Sequence, residues 1–362
     1  MTRHVPWWRQ PIWMTRQSWV SIAAAIGFLS CVVLLAFVPV PYVTWSPGET
    51  QDVLAADDQG VPLVEVRGVE TYPSTGQLDL TTVSVTKVDG RTSLVEVLLA
   101  WARPGFDALD RELYYPPGTT VDQTQHERAE MMSTSQLVAT AAAAGAAGLP
   151  VTERPVVSAV VVGGPAQERL RPGDVVLQVD GREVTTADET ADAIEAATAD
   201  RDTEPVQWRV RRDGREIEVT TGLRAGNDPV DRAGVDITDG WDLPVRASFA
   251  IPDDIGGPSA GLVFSLAVYD RITPGDLVAG RHLAGTGTIS AEGAVGPIGG
   301  IQSKVVGAEA AGATVFLVPA DNCEDLTGVR TDLRLVRVAT LEEAVDALQR
   351  LHDDPGAEVP TC

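Results

Sequence analysis

The sequence is short of positive charge. Its 362 residues include 28 Lys and Arg against 51 Asp and Glu, a formal net charge of −23 at pH 7. The acidic excess is spread along the chain rather than gathered in a tail, and no run of Lys and Arg forms a basic face. Binding a phosphate backbone needs such a face, so nucleic acid is excluded as a partner. Cysteine is scarce too, with three in all, at positions 31, 323 and 362. There is no Gly-x-x-x-x-Gly-Lys-Ser/Thr loop, which removes the usual cradle for nucleotide phosphates. His126-Glu127 does not open a zinc-protease motif, because position 130 is Glu where the second His would stand. No metal and no cofactor is implied. Apolar runs of spanning length are also rare, and there is only one.

That run is Trp19 to Val38, which carries no charge. At ~1.5 Å per residue it extends ~30 Å, about one hydrocarbon core. Arg3, Arg9 and Arg16 precede it, among Trp7, Trp8, Trp13 and Trp19. Basic residues stay on the cytoplasmic side and indoles favour the interface. The expectation is a cytoplasmic stretch 1–18, a transmembrane helix 19–38 in the plasma membrane, and an extracytoplasmic body. The alternative is a cleaved signal peptide, whose apolar core would be ~7–15 residues and would end at a small-x-small site. Phe37-Val38-Pro39-Val40-Pro41 follows here instead, which favours an uncleaved anchor. Cys31 lies within the span and reads as a small apolar residue. Cys323 and Cys362 lie outside, where disulfides persist. They read as a clip on the tail 352–362; closing a loop of about 40 residues is worth roughly 4 kcal/mol on the chain-entropy account. Two unrelated thiols, or a bond between chains, are the alternatives.

Residues 39–148 read as a mixed α/β region. Leu78 to Val85 alternates like a strand between Ser74-Thr75-Gly76 and Asp89-Gly90. Thr92 to Trp101 reads as a helix ending near Pro104-Gly105. Asp122 to Ala147 reads as another, polar first and then alanine-rich, with Glu127, Arg128 and Glu130 on a solvated face. No chemistry is visible there. From Pro155 to Gly222 the pattern changes. A β-branched run, Val156 to Val162, leads through Gly163-Gly164-Pro165-Ala166 to Leu170-Arg171-Pro172-Gly173-Asp174-Val175-Val176-Leu177-Gln178-Val179-Asp180-Gly181. A Pro-Gly-Asp turn, a strand and an Asp-Gly hairpin make a clear local signal. Helical spacing over Ala187 to Thr198 and a hairpin around Asp213-Gly214 follow. This stretch, 149–224, resembles a PDZ domain, a small β-barrel with helices. The resemblance implies capture of an extended peptide, often a C-terminus, as an added strand beside a helix. It implies a groove between the early strand and Ala187 to Thr198. The carboxylate loop would fall near Gly148-Leu149-Pro150-Val151, where the family's usual loop is not evident. A module that merely packs on its neighbour or gates it is the alternative.

The chemistry lies in the last third. Val245 to Ile251 alternates like a strand and leads to Gly256-Gly257-Pro258-Ser259-Ala260-Gly261, after which the chain is an apolar helix. Ser259 therefore opens a helix, where unpaired N–H groups favour negative charge and can hold an oxyanion. Lys304 follows Gly299-Gly300 in the first turn of a helix over Ile301 to Ala311. The helix dipole disfavours an ammonium there, and burial lowers its pKa further, as a general base near neutral pH requires. Each feature also has a plainer reading. A serine can simply cap a helix, and a lysine stem can cover apolar surface.

Together these segments strongly resemble the proteolytic domain of Lon proteases, peptidase family S16. The matches are Gly257-Pro258-Ser259-Ala260-Gly261, Thr286-Gly287-x-Ile289-Ser290, Pro297-Ile298-Gly299-Gly300-Ile301-x-x-Lys304, Ala311-Gly312-Ala313 and Pro319-Ala320-Asp321-Asn322, in family order across 231–351. The resemblance implies Ser259 as nucleophile, Lys304 as base, and Thr286 as the residue orienting the amine. It implies an oxyanion and substrate backbone around Gly257, Pro258 and Ala260. Where the family usually has Lys-Asp-Gly-Pro-Ser, this chain reads Asp254-Ile255-Gly256-Gly257-Pro258-Ser259, so the acidic neighbour is displaced along the loop. The expected architecture is α+β: an N-terminal transmembrane helix, a mixed α/β region, a PDZ domain and a C-terminal Lon-type proteolytic domain. That combination resembles membrane-anchored, ATP-independent, PDZ-containing Lon-like proteases of bacteria. It implies protein or peptide substrates and a homo-oligomer, a ring such as a hexamer. The same pentapeptide fits the nucleophile elbow of α/β-hydrolases, but seven residues separate Ser259 from the preceding strand, and only His282 and His352 follow it. The non-enzymatic rival is a PDZ peptide-binding adaptor or scaffold at the membrane.

Overall fold

The structure is a computed structural model that describes residues 15–56, 60–198, 205–224, 232–252 and 255–362. The basic and tryptophan-rich flank (Arg3, Trp7, Trp8, Arg9, Trp13) and the pair Asp253-Asp254 lie outside them. Eight α-helices are found among the described residues: α1 (Arg16–Phe37), α2 (Leu94–Ala102), α3 (Arg111–Tyr114), α4 (Val121–Ala146), α5 (Ala187–Thr198), α6 (Gly261–Ile272), α7 (Ile301–Ala311) and α8 (Leu341–Asp353). Side chains at their starts satisfy N–H groups that a helix cannot pair internally. Thr15 accepts from Ser18, Thr120 from Gln123 and Thr340 from Glu343. Ser93 and Glu96 form a full capping box at α2. Only α1, among the described residues, is long and apolar enough to cross a membrane.

The larger half of the body is built on a six-stranded sheet. In spatial order its strands are Arg334–Val338, Val315–Pro319, His282–Gly285, Gln77–Val85, Tyr42–Asp52 and Asp107–Asp110. The first four run parallel, Tyr42–Asp52 runs against them, and Asp107–Asp110 runs against Tyr42–Asp52. Parallel neighbours need a crossover, and α7 supplies it between His282–Gly285 and Val315–Pro319. Alternation along the strands splits the core. Leu283 and Leu317 join α4, α6 and α8 on one face, while Ala284, Phe316 and Val318 meet α7 on the other. Half of the strands come from the region 39–148, so that region completes the proteolytic sheet. A further strand from it, Val64–Arg67, pairs with Arg246–Phe249. The alanine-rich end of α4 buries Ala139, Ala142 and Ala143 in the same core as Leu262, Phe264 and Leu266 of α6. Small side chains at that contact let the two helices approach closely.

The second sheet is antiparallel throughout. Its order is Arg215–Thr221, Val206–Arg212, Val175–Val179, Thr152–Val160 and Val235–Asp242, with Arg182–Glu183 beside Val175–Val179. It has its own core around Trp208, Val176, Val210 and Ile194 of α5. The Trp208 indole N–H donates to Thr221 Oγ1 at 2.9 Å, which satisfies the buried ring nitrogen. One expectation is corrected here. Thr152–Val160, the early strand, has neighbours on both sides and offers no edge for strand addition. The edge strand that packs against α5 is Val235–Asp242, tied to it by the Ala187 N–H donating to Asp239 Oδ1 at 2.7 Å. A strand added beside α5 therefore has Val235–Asp242, not Thr152–Val160, as its neighbour. The second sheet is inserted between α4 and Arg246–Phe249.

Cys323 and Cys362 are joined by a disulfide, with Cα atoms 5.1 Å apart. The tail is also laid along Arg334–Val338, where Arg337 N–H donates to the Pro360 carbonyl at 2.9 Å.

Candidate active site

The site forms where three segments meet at the C-terminal ends of the parallel strands. Thr286 directly follows the strand His282–Gly285. Ser259 sits in a 3-10 turn, Pro258–Ala260, that runs into α6. Lys304 lies in the first turn of α7. Gly257 enters the serine turn at φ 105°, a left-handed conformation that a β-carbon disfavours. Gly300 precedes α7 at φ 69°, and a β-carbon there would lie 2.8 Å from the Trp45 ring. A β-carbon at Gly299 would meet the same ring at 2.8 Å. The Gly-Gly pair thus lets α7 start directly on an indole supplied by the strand Tyr42–Asp52.

Lys304 Nζ is 2.8 Å from Ser259 Oγ and 2.8 Å from Thr286 Oγ1. The Thr286 hydroxyl donates to the Ser259 carbonyl at 2.9 Å, so its oxygen is left to accept from the amine. The Gly287 N–H donates to that same carbonyl at 2.9 Å. Lys304 is 2% exposed and Thr286 fully buried. Burial alone lowers the lysine from its ordinary 10.5 to about 7. A neutral amine with one N–H held by Thr286 is able to turn its lone pair toward Ser259. Ser259 itself stays partly open to solvent.

Backbone N–H groups of Ser259 and Ala260 lie at the start of this turn. Pro258 has no N–H to offer an oxyanion. Its carbonyl instead accepts from the Ser135 hydroxyl of α4 at 3.3 Å and caps the turn through the Gly261 N–H. Gly261 must itself be glycine, since a β-carbon would come 2.8 Å from Ile289 Cγ2. Beside this turn runs a groove of about 470 Å3, lined by Met131, Val138, Pro258 and Ile289, with Glu127 and Glu130 at its end.

Several of these residues carry no local signature. Ser135 and Trp45 are distant in sequence from the motifs they support. Asn322 belongs to a matched motif but had no assigned part. Its side chain accepts from the Ile298 N–H at 2.9 Å and donates to the Ile298 carbonyl at 3.0 Å, which fixes the loop that opens α7. The described histidines lie apart from this site's hydrogen bonds. His282 pairs with Asp79 at 2.9 Å, and His126 pairs with Glu130 along the exposed side of α4. Among the described residues no group of His, Cys, Asp and Glu has the arrangement of a metal site.

Comparison with known proteins identifies two domains. Residues 245–350 match the Lon protease (S16) C-terminal proteolytic domain, and residues 126–223 match the PDZ domain family. The Lon protease of Clostridium beijerinckii is 38% identical over 102 residues, 27% of this chain and 12% of that protein. Lon protease 1 of Sorangium cellulosum is 41% identical over 106 residues, 28% of this chain and 13% of that protein. Lon protease 1 of Bacillus subtilis is 37% identical over 101 residues, 27% of this chain and 12% of that protein. The chain spans about an eighth of the length of these curated relatives. The crystal structure of the PDZ domain of an SdrC-like protein from Listeria innocua aligns at 20% identity and a TM-score of 0.20, over 23% of this chain and 92% of that one. The chain carries a Lon protease (S16) C-terminal proteolytic domain together with a PDZ domain.

Proposed function

We propose that this protein is a membrane-anchored serine endopeptidase that works through Ser259 and Lys304, without ATP, on exported or misfolded proteins outside the membrane. The observation that carries the reading is the buried amine of Lys304 at 2.8 Å from both Ser259 Oγ and Thr286 Oγ1. Ser259 Oγ attacks the peptide carbonyl while its proton passes to Lys304 Nζ. The tetrahedral oxyanion is held by N–H groups at the start of the 258–260 turn. As the C–N bond breaks, the ammonium returns the proton to the leaving amine. Water then attacks the acyl-enzyme, giving a proton to neutral Lys304; as the ester C–O bond breaks, the ammonium returns that proton to Ser259 Oγ and the free acid departs. Thr286 holds the lysine nitrogen beside Ser259 throughout.

The groove between α4 and Thr288–Ile289 takes an apolar side chain of the substrate next to the scissile bond. The PDZ groove, between α5 and Val235–Asp242, takes an extended peptide as an added strand. α1 anchors the body, and self-assembly into a ring is consistent with the family resemblance. The test is incubation of an unfolded protein, without ATP, with the full chain as wild type, Ser259→Ala and Lys304→Ala, reading cleavage products by mass spectrometry. Products from the wild type alone support the reading. Equal products from all three, or none from any, count against it, and the latter favours a peptide-binding adaptor.

A further inference from the structure

Helix α2 is apolar on nearly every side. Among its nine residues, Leu-Val-Glu-Val-Leu-Leu-Ala-Trp-Ala, only Glu96 is polar. Yet only Val97 and Ala100 are buried, in a small cluster with Ala108 that Tyr42 and Phe106 flank. Leu98 is 52% exposed, Leu99 44% and Trp101 57%, and Val95 is exposed beside them. Val95, Leu98, Leu99 and Ala102 follow the i, i+3, i+4, i+7 spacing of one helical stripe, pointing away from the buried side. A helix that is hydrophobic all round is ordinarily covered all round.

What adjoins this stripe is α1. The chain leaves α1 at Phe37, and Pro39–Val40 immediately pairs with Thr92–Ser93, the two residues that lead into α2. α1 and α2 are also in contact. Trp101 packs edge-on against Tyr42, 6.1 Å between ring centres, two residues beyond that pairing. The one carboxylate of α2 is folded back, with Glu96 accepting from the Ser93 N–H at 2.7 Å. Arg103 stands at the other end, exposed. An apolar stripe, a tryptophan at its edge and a cation at its end, all beside a helix of membrane-spanning length, are the features of a helix lying in the bilayer interface.

We infer that α2 is a second membrane contact, lying in the headgroup region with Val95, Leu98 and Leu99 turned to the acyl chains and Trp101 at the interface. The occupant of this face is the lipid bilayer. This rests on the reading of α1 as an anchor. With both contacts made, the body is held against the bilayer at a fixed angle rather than hanging from a flexible tether.

The test uses the full chain with Cys31→Ser, leaving the Cys323–Cys362 disulfide oxidised. An environment-sensitive fluorophore is attached at one introduced cysteine: Leu98→Cys on α2, Leu29→Cys in α1, or Glu218→Cys on the PDZ sheet. Each is reconstituted in phosphatidylcholine nanodiscs with and without nitroxide-bearing acyl chains. The expected result is a blue-shifted, lipid-quenched signal at positions 98 and 29 and neither at 218. Quenching at 29 without quenching at 98 overturns the inference and leaves the anchor intact. A blue shift at 98 without lipid quenching also overturns it, assigning the face to a second copy of the chain. No quenching at 29 removes the anchor, and the inference with it.

Discussion

On the proposed mechanism, Lys304 sets the pH behaviour of the chemistry, and its burial makes stability depend on pH as well. Its folded pKa, about 7, lies below the 10.5 of an unburied lysine, so between those values the unfolded chain binds a proton that the folded one does not. Stability contributed by this residue therefore rises with pH across that window and is lowest below about pH 7. Lys304→Met is expected to raise thermal stability more at pH 6 than at pH 10, by an amount on the order of a few kcal/mol between the two. Chemical denaturation of both forms at the two pH values measures it; an equal change at both would contradict the burial of a neutralised amine. Ser259, Thr286 and Lys304 were legible because each sits in a short motif whose glycines and helix start constrain it locally. Ser135 was not, since its hydroxyl meets the Pro258 carbonyl only after α4 folds across the serine loop. Pro258 carries no N–H, so the donors expected of this segment fall to its neighbours. Asn322→Ala is expected to lower kcat by about tenfold, equivalent to ~1.4 kcal/mol, while leaving KM nearly unchanged, because it frees the loop that aims α7. Steady-state kinetics on an unfolded substrate separates the two constants.

At the scale of elements, α4 connects the two functional parts. One stretch of it packs on α6, and neighbouring residues line the groove beside Pro258. Val138→Trp fills that groove and is expected to reduce kcat/KM for substrates with a large apolar side chain by about tenfold, or ~1.4 kcal/mol. Acylation of Ser259 by a small serine-directed probe should be nearly unaffected, and an equal loss there would argue for damage to the turn instead. The alanine run and caps made α4 readable as a helix, but which neighbours it would meet was not readable. Likewise the Pro-Gly-Asp and Asp-Gly turns announced the PDZ sheet. Its edge strand, Val235–Asp242, lies beyond the 149–224 stretch that carries those turns, so sequence order pointed to the earlier strand instead. Pairing partners in an antiparallel sheet depend on register over long range, and local pattern does not fix them.

At the scale of the molecule, the proteolytic sheet draws three strands from before the PDZ insertion and three from after it. Family motifs lie only in the second part, which is why the first seemed chemically silent, although Trp45 and Ser135 both come from it. The disulfide ties the C-terminal tail to the turn that follows Val315–Pro319. Cys323→Ser with Cys362→Ser is expected to lower stability by roughly 4 kcal/mol, read from denaturation with the oxidised wild type as reference. The measurement that tests the account most directly is the pH dependence of covalent labelling by a serine-directed acylating probe, followed by intact mass and peptide mapping. The account predicts one adduct on Ser259, with a rate that climbs through about pH 7 to a plateau and is lost in Lys304→Met. Labelling elsewhere, or an unchanged rate in Lys304→Met, would contradict it.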